Sequence, residues 1–132
     1  MRSNFNLSIL IAITLGLGGC HCATPPKQTS GNVVHVVLFW MKDPQDAAAR
    51  KRLVEATETL RKIPGVLHIA YGRAVPSTRP VVDSSFDLGI VITFRDRQLM
   101  NAYETHPIHV KAVQEVLLPL TKKVQVYDVE RE

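Results

Sequence analysis

The sequence predicts an α+β fold in which helices cover one face of a four-stranded antiparallel sheet. Runs rich in β-branched and aromatic residues alternate with amphipathic stretches in the order strand, helix, strand, strand, helices, strand. That order is the βαββαβ plan of ferredoxin-like domains. The 132 residues, 45% hydrophobic and 21% charged, suit one globular domain with a short appendage.

The first predicted strand, residues 33–41, is apolar on both faces. Alternation places on one face His35, Val37, Phe39 and Met41, and on the other Val34, Val36, Leu38 and Trp40. The helices can cover only one of these faces, and an uncovered apolar face would be unusual for a monomer. We therefore expect a homodimer in which two sheets pack face to face.

The first predicted helix is bounded by Asp43-Pro44 and Pro64-Gly65. Asp43 can cap its N-terminus, and proline suits the first helical position. Two strands are then expected at residues 66–75 and 87–94. Residues 76–86 join them as a polar loop with two prolines.

The C-terminal part is predicted to contain two helices and the last strand. Asp96 is expected to start a short helix, and His106-Pro107 a longer one that ends near residue 122. Pro119 falls near that end and is expected to distort the last turn. Residues 124–129 complete the sheet.

The N-terminus predicts export. Residues 1–19 carry a single charge, Arg2, and an apolar core, residues 7–17, which is shorter than the roughly twenty residues that a membrane span needs. The sequence Leu17-Gly18-Gly19-Cys20 resembles the bacterial lipobox, in which the cysteine thiol accepts a diacylglyceryl group. The resemblance implies that residues 1–19 are a lipoprotein signal peptide and that Cys20 is the lipid attachment site. The alternative is a plain secretory signal with an incidental cysteine.

The predicted organisation therefore has three parts. The signal peptide is followed by a tether, residues 20–32, rich in proline, serine and threonine, and by one domain, residues 33–130. Because several acyl chains on one cysteine anchor a protein stably, we expect a cell-envelope protein held on a membrane and facing the periplasm or the exterior.

Cysteine content and charge narrow the function. Both cysteines, Cys20 and Cys22, precede the predicted domain, which is therefore neither a disulfide scaffold nor a thiol enzyme. The formal net charge of +4 is spread along the chain, and the densest basic cluster, residues 50–52, is typical of a solvated helix face. With few aromatic residues and no aromatic-plus-basic repeat, nucleic-acid binding is not favoured.

Three phrases resemble the stress-responsive A/B barrel family, often called Dabb. They are residues 35–39 (HVVLF), 63–66 (IPGV) and 103–109 (YETHPIH), and the resemblance covers about residues 33–130. It implies a dimeric α+β barrel. Most members have no established reaction, whereas a few plant members are polyketide cyclases that close aromatic rings by aldol chemistry without a metal.

Three side chains are candidates for chemistry. His109 lies on the apolar stripe of its helix, Tyr103 on the apolar face of the preceding helix, and His35 on one face of the first strand, so all three can meet in one pocket. By resemblance to the plant cyclases, His109 would be the base, Tyr103 its partner and His35 a pocket-lining helper. The alternative is a structural role, with His106 as a helix cap and His109 bonded to a carbonyl.

No cofactor or metal is expected. A rival interpretation has His106 and His109, three positions apart on a helix, bind one metal ion with His35 as a third ligand. Apart from Glu104, which the helical spacing turns away, no acidic residue accompanies these histidines.

Three functions agree with the sequence. The first is an anchored, small-ligand-binding or stress-related homodimer without catalysis, whose ligand would be apolar. The second is a small envelope enzyme of cyclase or lyase type, in which His109 with Tyr103 acts as general base on an apolar carbonyl compound. The third is a barrel-type monooxygenase, cofactor-free or haem-using, which rests on fold analogy alone.

Overall fold

The computed structural model describes residues 31–132. The predicted signal peptide, Cys20 and most of the predicted tether lie outside the described residues. The strands are β1 (Val33–Met41), β2 (Val66–Gly72), β3 (Leu88–Phe94) and β4 (Thr121–Glu130). The helices are α1 (Ala47–Thr59), α2 (Arg97–Glu104) and α3 (Pro107–Ala112). None of the helices in this part of the chain is long and apolar enough to cross a membrane.

The four strands form one antiparallel sheet in the order β2-β3-β1-β4. β3 lies between β1 and β2, the two strands that α1 connects, so the chain forms the split βαβ unit of ferredoxin-like folds. The predicted α+β fold with four antiparallel strands is confirmed. β1 occupies a central position, because it pairs with β3 on one side and with β4 on the other.

Helix α1 begins one turn later than predicted. Its N-terminal cap is Asp46, whose Oδ1 accepts a hydrogen bond from the amide of Ala49 at 2.8 Å. Asp43 instead closes a local turn, where its Oδ1 accepts from the amide of Gln45 at 2.9 Å. Either aspartate could cap a helix. Because Asp43 closes a turn before the helix, Asp46 becomes the cap.

The end of the α1 region follows the prediction more closely. A 3₁₀ turn, Leu60–Lys62, follows α1, and Gly65 then adopts a φ of 92° that favours glycine. A Cβ atom built on Gly65 would lie 2.6 Å from the Cβ of Leu99. The site therefore admits no side chain without movement, and β2 starts at the next residue.

The helical segment after His106 changes its winding. α3 continues into a π-helical turn, Val113–Leu117, and a final helical turn, Leu118–Leu120. The amide of Leu118 donates to the carbonyl of Val113, five residues earlier. Pro119 follows at once and has no amide hydrogen to continue an α-helical ladder, so the predicted distortion has a local cause.

The hydrophobic core lies between the helices and one face of the sheet. Met41 and Phe94 are fully buried there, and Leu53 and Leu60 cover them from the α1 side. The helices cover the face of β1 that carries His35, Val37 and Phe39, which is one of the two faces that strand alternation defined.

The second face of the sheet is only partly covered within one chain. Trp40 is buried there by the loop between β2 and β3, since its Nε1 donates to Ser85 Oγ at 3.0 Å and its ring meets the edge of Phe86. Farther along this face, Val91, Tyr127 and Val129 are 37%, 54% and 55% exposed. An apolar strip therefore crosses β3, β1 and β4 on the side away from the helices.

Candidate functional site

A cavity of about 420 Å³ lies between the helical layer and the sheet. Most of its lining is aliphatic or aromatic, and the principal members are Val37, Phe39, Ile90, Ile92, Val124 and Val126 from the sheet and Leu53, Leu60, Val113, Val116 and Leu117 from the helical side. The π-helical turn contributes three of these side chains, so the unusual winding of that segment shapes the cavity wall.

The structure brings His35, Tyr103 and His109 together in this cavity. Tyr103 stands between the two histidines, with its ring centroid 5.9 Å from that of His35 and 4.4 Å from that of His109. Phe94 packs against the Tyr103 ring at 4.9 Å and fixes its position. Three elements distant in sequence, β1, α2 and α3, therefore contribute one polar cluster to an otherwise apolar cavity.

The tautomer of His109 follows from its partner. Its Nδ1 lies 2.8 Å from the backbone carbonyl oxygen of Glu104. Because a carbonyl oxygen can only accept, Nδ1 carries the hydrogen, and Nε2 of the neutral ring keeps its lone pair. His109 is thus oriented by the backbone, whereas the sequence suggested Tyr103 as its partner. Within the described residues Tyr103 and His109 are in ring contact, tilted at 41°, and are not hydrogen-bonded to each other.

Tyr103 is 2% exposed, and its chemistry is set by that burial. Removal from water, and to a smaller extent the negative charge of Glu104, raises the pKa of the Tyr103 hydroxyl. The phenol therefore stays protonated under physiological conditions and serves as a hydrogen-bond donor. It is suited to hold a ligand oxygen, and it is not a base.

His35 has a partner that the sequence analysis missed. Its Nδ1 lies 2.5 Å from Oδ1 of Asp128, and Asp128 is the residue of β4 directly opposite His35 in the sheet register. The alternation Val124, Val126, Asp128 could have placed this carboxylate on a cavity-facing side of β4. What pairs it with His35 is the register between β1 and β4, which the sequence does not contain.

The other polar residues near the cavity have local roles. His106 Nδ1 accepts from the amide of Ile108 at 3.2 Å and caps α3, the role that the structural alternative gave it. Glu104 lines the cavity but is exposed, and its backbone carbonyl oxygen accepts the hydrogen bond from His109. Within residues 31–132 no three His, Cys, Asp or Glu side chains are grouped closely enough to hold a metal ion.

Comparison with known proteins places this domain in a family. The family model described as Stress responsive A/B Barrel Domain matches residues 33–131. The chain belongs to this family. Among curated proteins it is 26% identical over 106 residues to a stress-response A/B barrel domain-containing protein of Arabidopsis thaliana. The aligned part is 80% of this chain but 38% of that relative, so the chain spans well under half of its length.

Solved structures share the A/B barrel fold. A Dabb family protein with a ferredoxin-like fold from Mesorhizobium loti is 28% identical, with a TM-score of 0.64 over 78% of this chain and 99% of that one. A dimeric ferredoxin-like protein from Bacteroides fragilis is 25% identical, with a TM-score of 0.60 over 77% and 98%. The hydroxynitrile lyase of Passiflora edulis, at 16% identity and a TM-score of 0.67 over 77% and 94%, is alike in fold alone.

The raised pKa of Tyr103 predicts a specific loss of stability at alkaline pH. Above about pH 10 the unfolded tyrosine loses its proton while the folded one keeps it, so the free energy of unfolding falls as pH rises. The difference between the wild type and Tyr103→Phe should shrink by about 1.4 kcal/mol per pH unit above 10. Urea unfolding of both proteins from pH 8 to 11 measures this. A constant difference would contradict the assignment of Tyr103 as a buried neutral phenol.

Proposed function

We propose that this chain is an exported, membrane-anchored A/B barrel homodimer that binds a small apolar molecule with one polar group in the cavity at His35, Tyr103 and His109. The observation that carries the proposal is the cavity itself, which joins aliphatic walls to a single polar cluster. Its volume of about 420 Å³ lies in the range of small-molecule sites.

The lining indicates the chemistry of the ligand. The walls supply no charged side chain other than exposed Glu104, so the body of the ligand is apolar. The polar cluster offers the Tyr103 hydroxyl as a donor and Nε2 of His109 as an acceptor. An enol or phenol hydroxyl meets both requirements, whereas a carbonyl oxygen meets only the first, because it accepts a hydrogen bond and cannot donate one.

A second candidate function is general base catalysis on an apolar carbonyl compound. The observation that favours it is the hydrogen bond from His109 Nδ1 to the Glu104 carbonyl, which leaves Nε2 free to take a proton. Tyr103 would then donate to the oxygen on which negative charge develops. This is the cyclase or lyase type of chemistry expected from the sequence.

A substitution that fills the cavity distinguishes binding of a ligand inside it from non-specific adsorption. With 4-phenylbutan-2-one as the probe, Val113→Phe should weaken binding about tenfold or more, because the larger side chain occupies ligand space. Val110→Phe, on the exposed side of the same helix, is the matched control and should change affinity less than about twofold. Titrations followed by methyl NMR give both affinities and the location of the probe.

The same samples test the second candidate. His109→Gln should leave the probe bound but abolish any exchange of its α-hydrogens for deuterium. Equal binding to the wild type and Val113→Phe would contradict the cavity as the site, and wild-type exchange no faster than buffer would contradict the catalytic candidate alone.

The homodimer is proposed to form through the apolar strip on the second sheet face. The strip carries exposed Val91, Tyr127 and Val129, and the Bacteroides fragilis relative of 25% identity is described as dimeric. Burying two such faces against each other removes from water the surface that the helices leave uncovered.

A charge placed in the strip should dissociate the dimer. Val91→Lys combined with Tyr127→Lys is expected to give a monomeric mass for residues 31–132 in analytical ultracentrifugation at micromolar concentration, because the two new lysines of each protomer would have to be desolvated at the interface. Val81→Lys, in the exposed loop, is the control and should remain dimeric. A monomeric wild type would refute the dimer.

Membrane anchoring is proposed through Cys20. The support is the lipobox-like sequence at residues 17–20 after an apolar core. Cys20→Ser should abolish incorporation of labelled fatty acid and release the chain from the membrane fraction of a bacterial cell. Cys22→Ser is the control, and labelling that persists in Cys20→Ser would contradict the attachment site.

A further inference from the structure

The cavity contains a second imidazole, that of His35, and the catalytic candidate with His109 and Tyr103 gives it no role. We propose that His35 is the proton donor of this site in the form that carries a hydrogen on each ring nitrogen, and that Asp128 is the positioning residue that holds Nδ1–H and directs Nε2–H toward the ligand. This inference rests on the catalytic candidate above and extends it to an acid–base pair acting on an enolisable ketone.

Nε2 of His35 faces the cavity. His35 is 7% exposed, and its Nδ1 is occupied by Asp128 at 2.5 Å. Among residues 31–132 the one buried side-chain nitrogen or oxygen without a hydrogen-bond partner is Nε of Arg50. Nε2 of His35 has no protein partner in this part of the chain and therefore must touch open space. For a buried residue that lines the cavity, that space is the cavity.

The two histidines of the cavity have chemically different partners. His109 donates to a neutral carbonyl, whereas His35 donates to a carboxylate over a short, charge-assisted hydrogen bond. A carboxylate balances the charge of an imidazolium, and a carbonyl does so much less. The two rings are thus prepared for opposite tasks on either side of Tyr103, His109 to accept a proton and His35 to supply one.

The neighbouring acidic residues do not compete with Asp128 for His35. Glu130, the next residue on the same face of β4, is paired with Arg97 at the start of α2. The other acidic residue at the cavity, Glu104, is exposed and meets His109 through its backbone. Asp128 is therefore the carboxylate within hydrogen-bond distance of a cavity-lining imidazole in the described chain.

The proposed step balances without a further reactant. Nε2 of His109 takes the α-hydrogen of the ketone as a proton, and the electron pair of that C–H bond forms the C=C bond. The carbonyl π pair moves to oxygen, which takes the proton from Nε2 of His35 while the Tyr103 hydroxyl holds the same oxygen. His35 starts this step with a hydrogen on each ring nitrogen. The product is the enol, with His109 protonated and His35 neutral with its remaining hydrogen on Nδ1 toward Asp128, and the reverse step restores both.

The first test reads the protonation of His35 directly, without a ligand. Long-range ¹H–¹⁵N spectra of histidine-labelled protein should show hydrogens on both ring nitrogens of His35 in the wild type. Asp128→Ala should remove one of them, because no carboxylate then balances the charge of the imidazolium. Glu130→Ala, which removes the neighbouring acid on the same face of the strand, is the matched control, and the His109 signals should stay unchanged in both variants.

The second test measures turnover. Exchange of the α-hydrogens of 4-phenylbutan-2-one in D₂O should slow about tenfold or more in Asp128→Ala and in His35→Gln, while the affinity for the probe changes little. Asp128→Asn, which keeps an acceptor oxygen, should retain more activity than Asp128→Ala, and Glu130→Ala should exchange at the wild-type rate.

The outcomes separate this inference from the proposed function. Exchange in Asp128→Ala at the wild-type rate, or unchanged protonation of the His35 ring in that variant, would overturn the role of Asp128 and leave His109 catalysis standing. Absence of exchange in the wild type would overturn the donor role together with the catalytic candidate, while binding of the probe would still support the ligand-binding function.

Discussion

The whole structure depends on the apolar character of β1 on both of its faces. β1 lies between β3 and β4 in the sheet, so each of its two apolar faces needs its own covering layer. One face requires the helical layer, and the side chains it carries form the core and the cavity floor. The other face receives only a loop over Trp40 and leaves an apolar strip for a partner sheet.

The cavity exists because the helical layer does not pack tightly on the sheet throughout. The π-helical turn before Pro119 widens the helix where it passes over the sheet, and its side chains form a wall of the cavity. The polar cluster tolerates this apolar setting because each of its imidazoles has a fixed partner, a backbone carbonyl for His109 and a carboxylate for His35. Preorganised partners of this kind orient a site before any ligand arrives.

Most of the fold could be predicted from the sequence, because strand alternation and helical spacing are local properties. β1 has its predicted bounds, and the helix after Asp96 starts where expected. The start of α1 could not be fixed, since Asp43 and Asp46 are both competent caps and only the turn closed by Asp43 distinguishes them. The second strand is shorter than predicted, because its pairing with β3 ends at Gly72 opposite Gly89 and residues 73–75 have no paired strand residue.

The sequence by itself determined the types of residue available for chemistry, two histidines and a tyrosine in a domain without cysteine, and the faces on which they lie. Only the tertiary structure decided which atoms are free to act. Nδ1 of each histidine is consumed by a partner, which for His109 is 5 residues away along the chain and for His35 is 93 residues away across the sheet. The first pairing is local and spans the short junction between α2 and α3, whereas the second depends on strand register, a property that residue spacing cannot encode because it arises only when the sheet assembles.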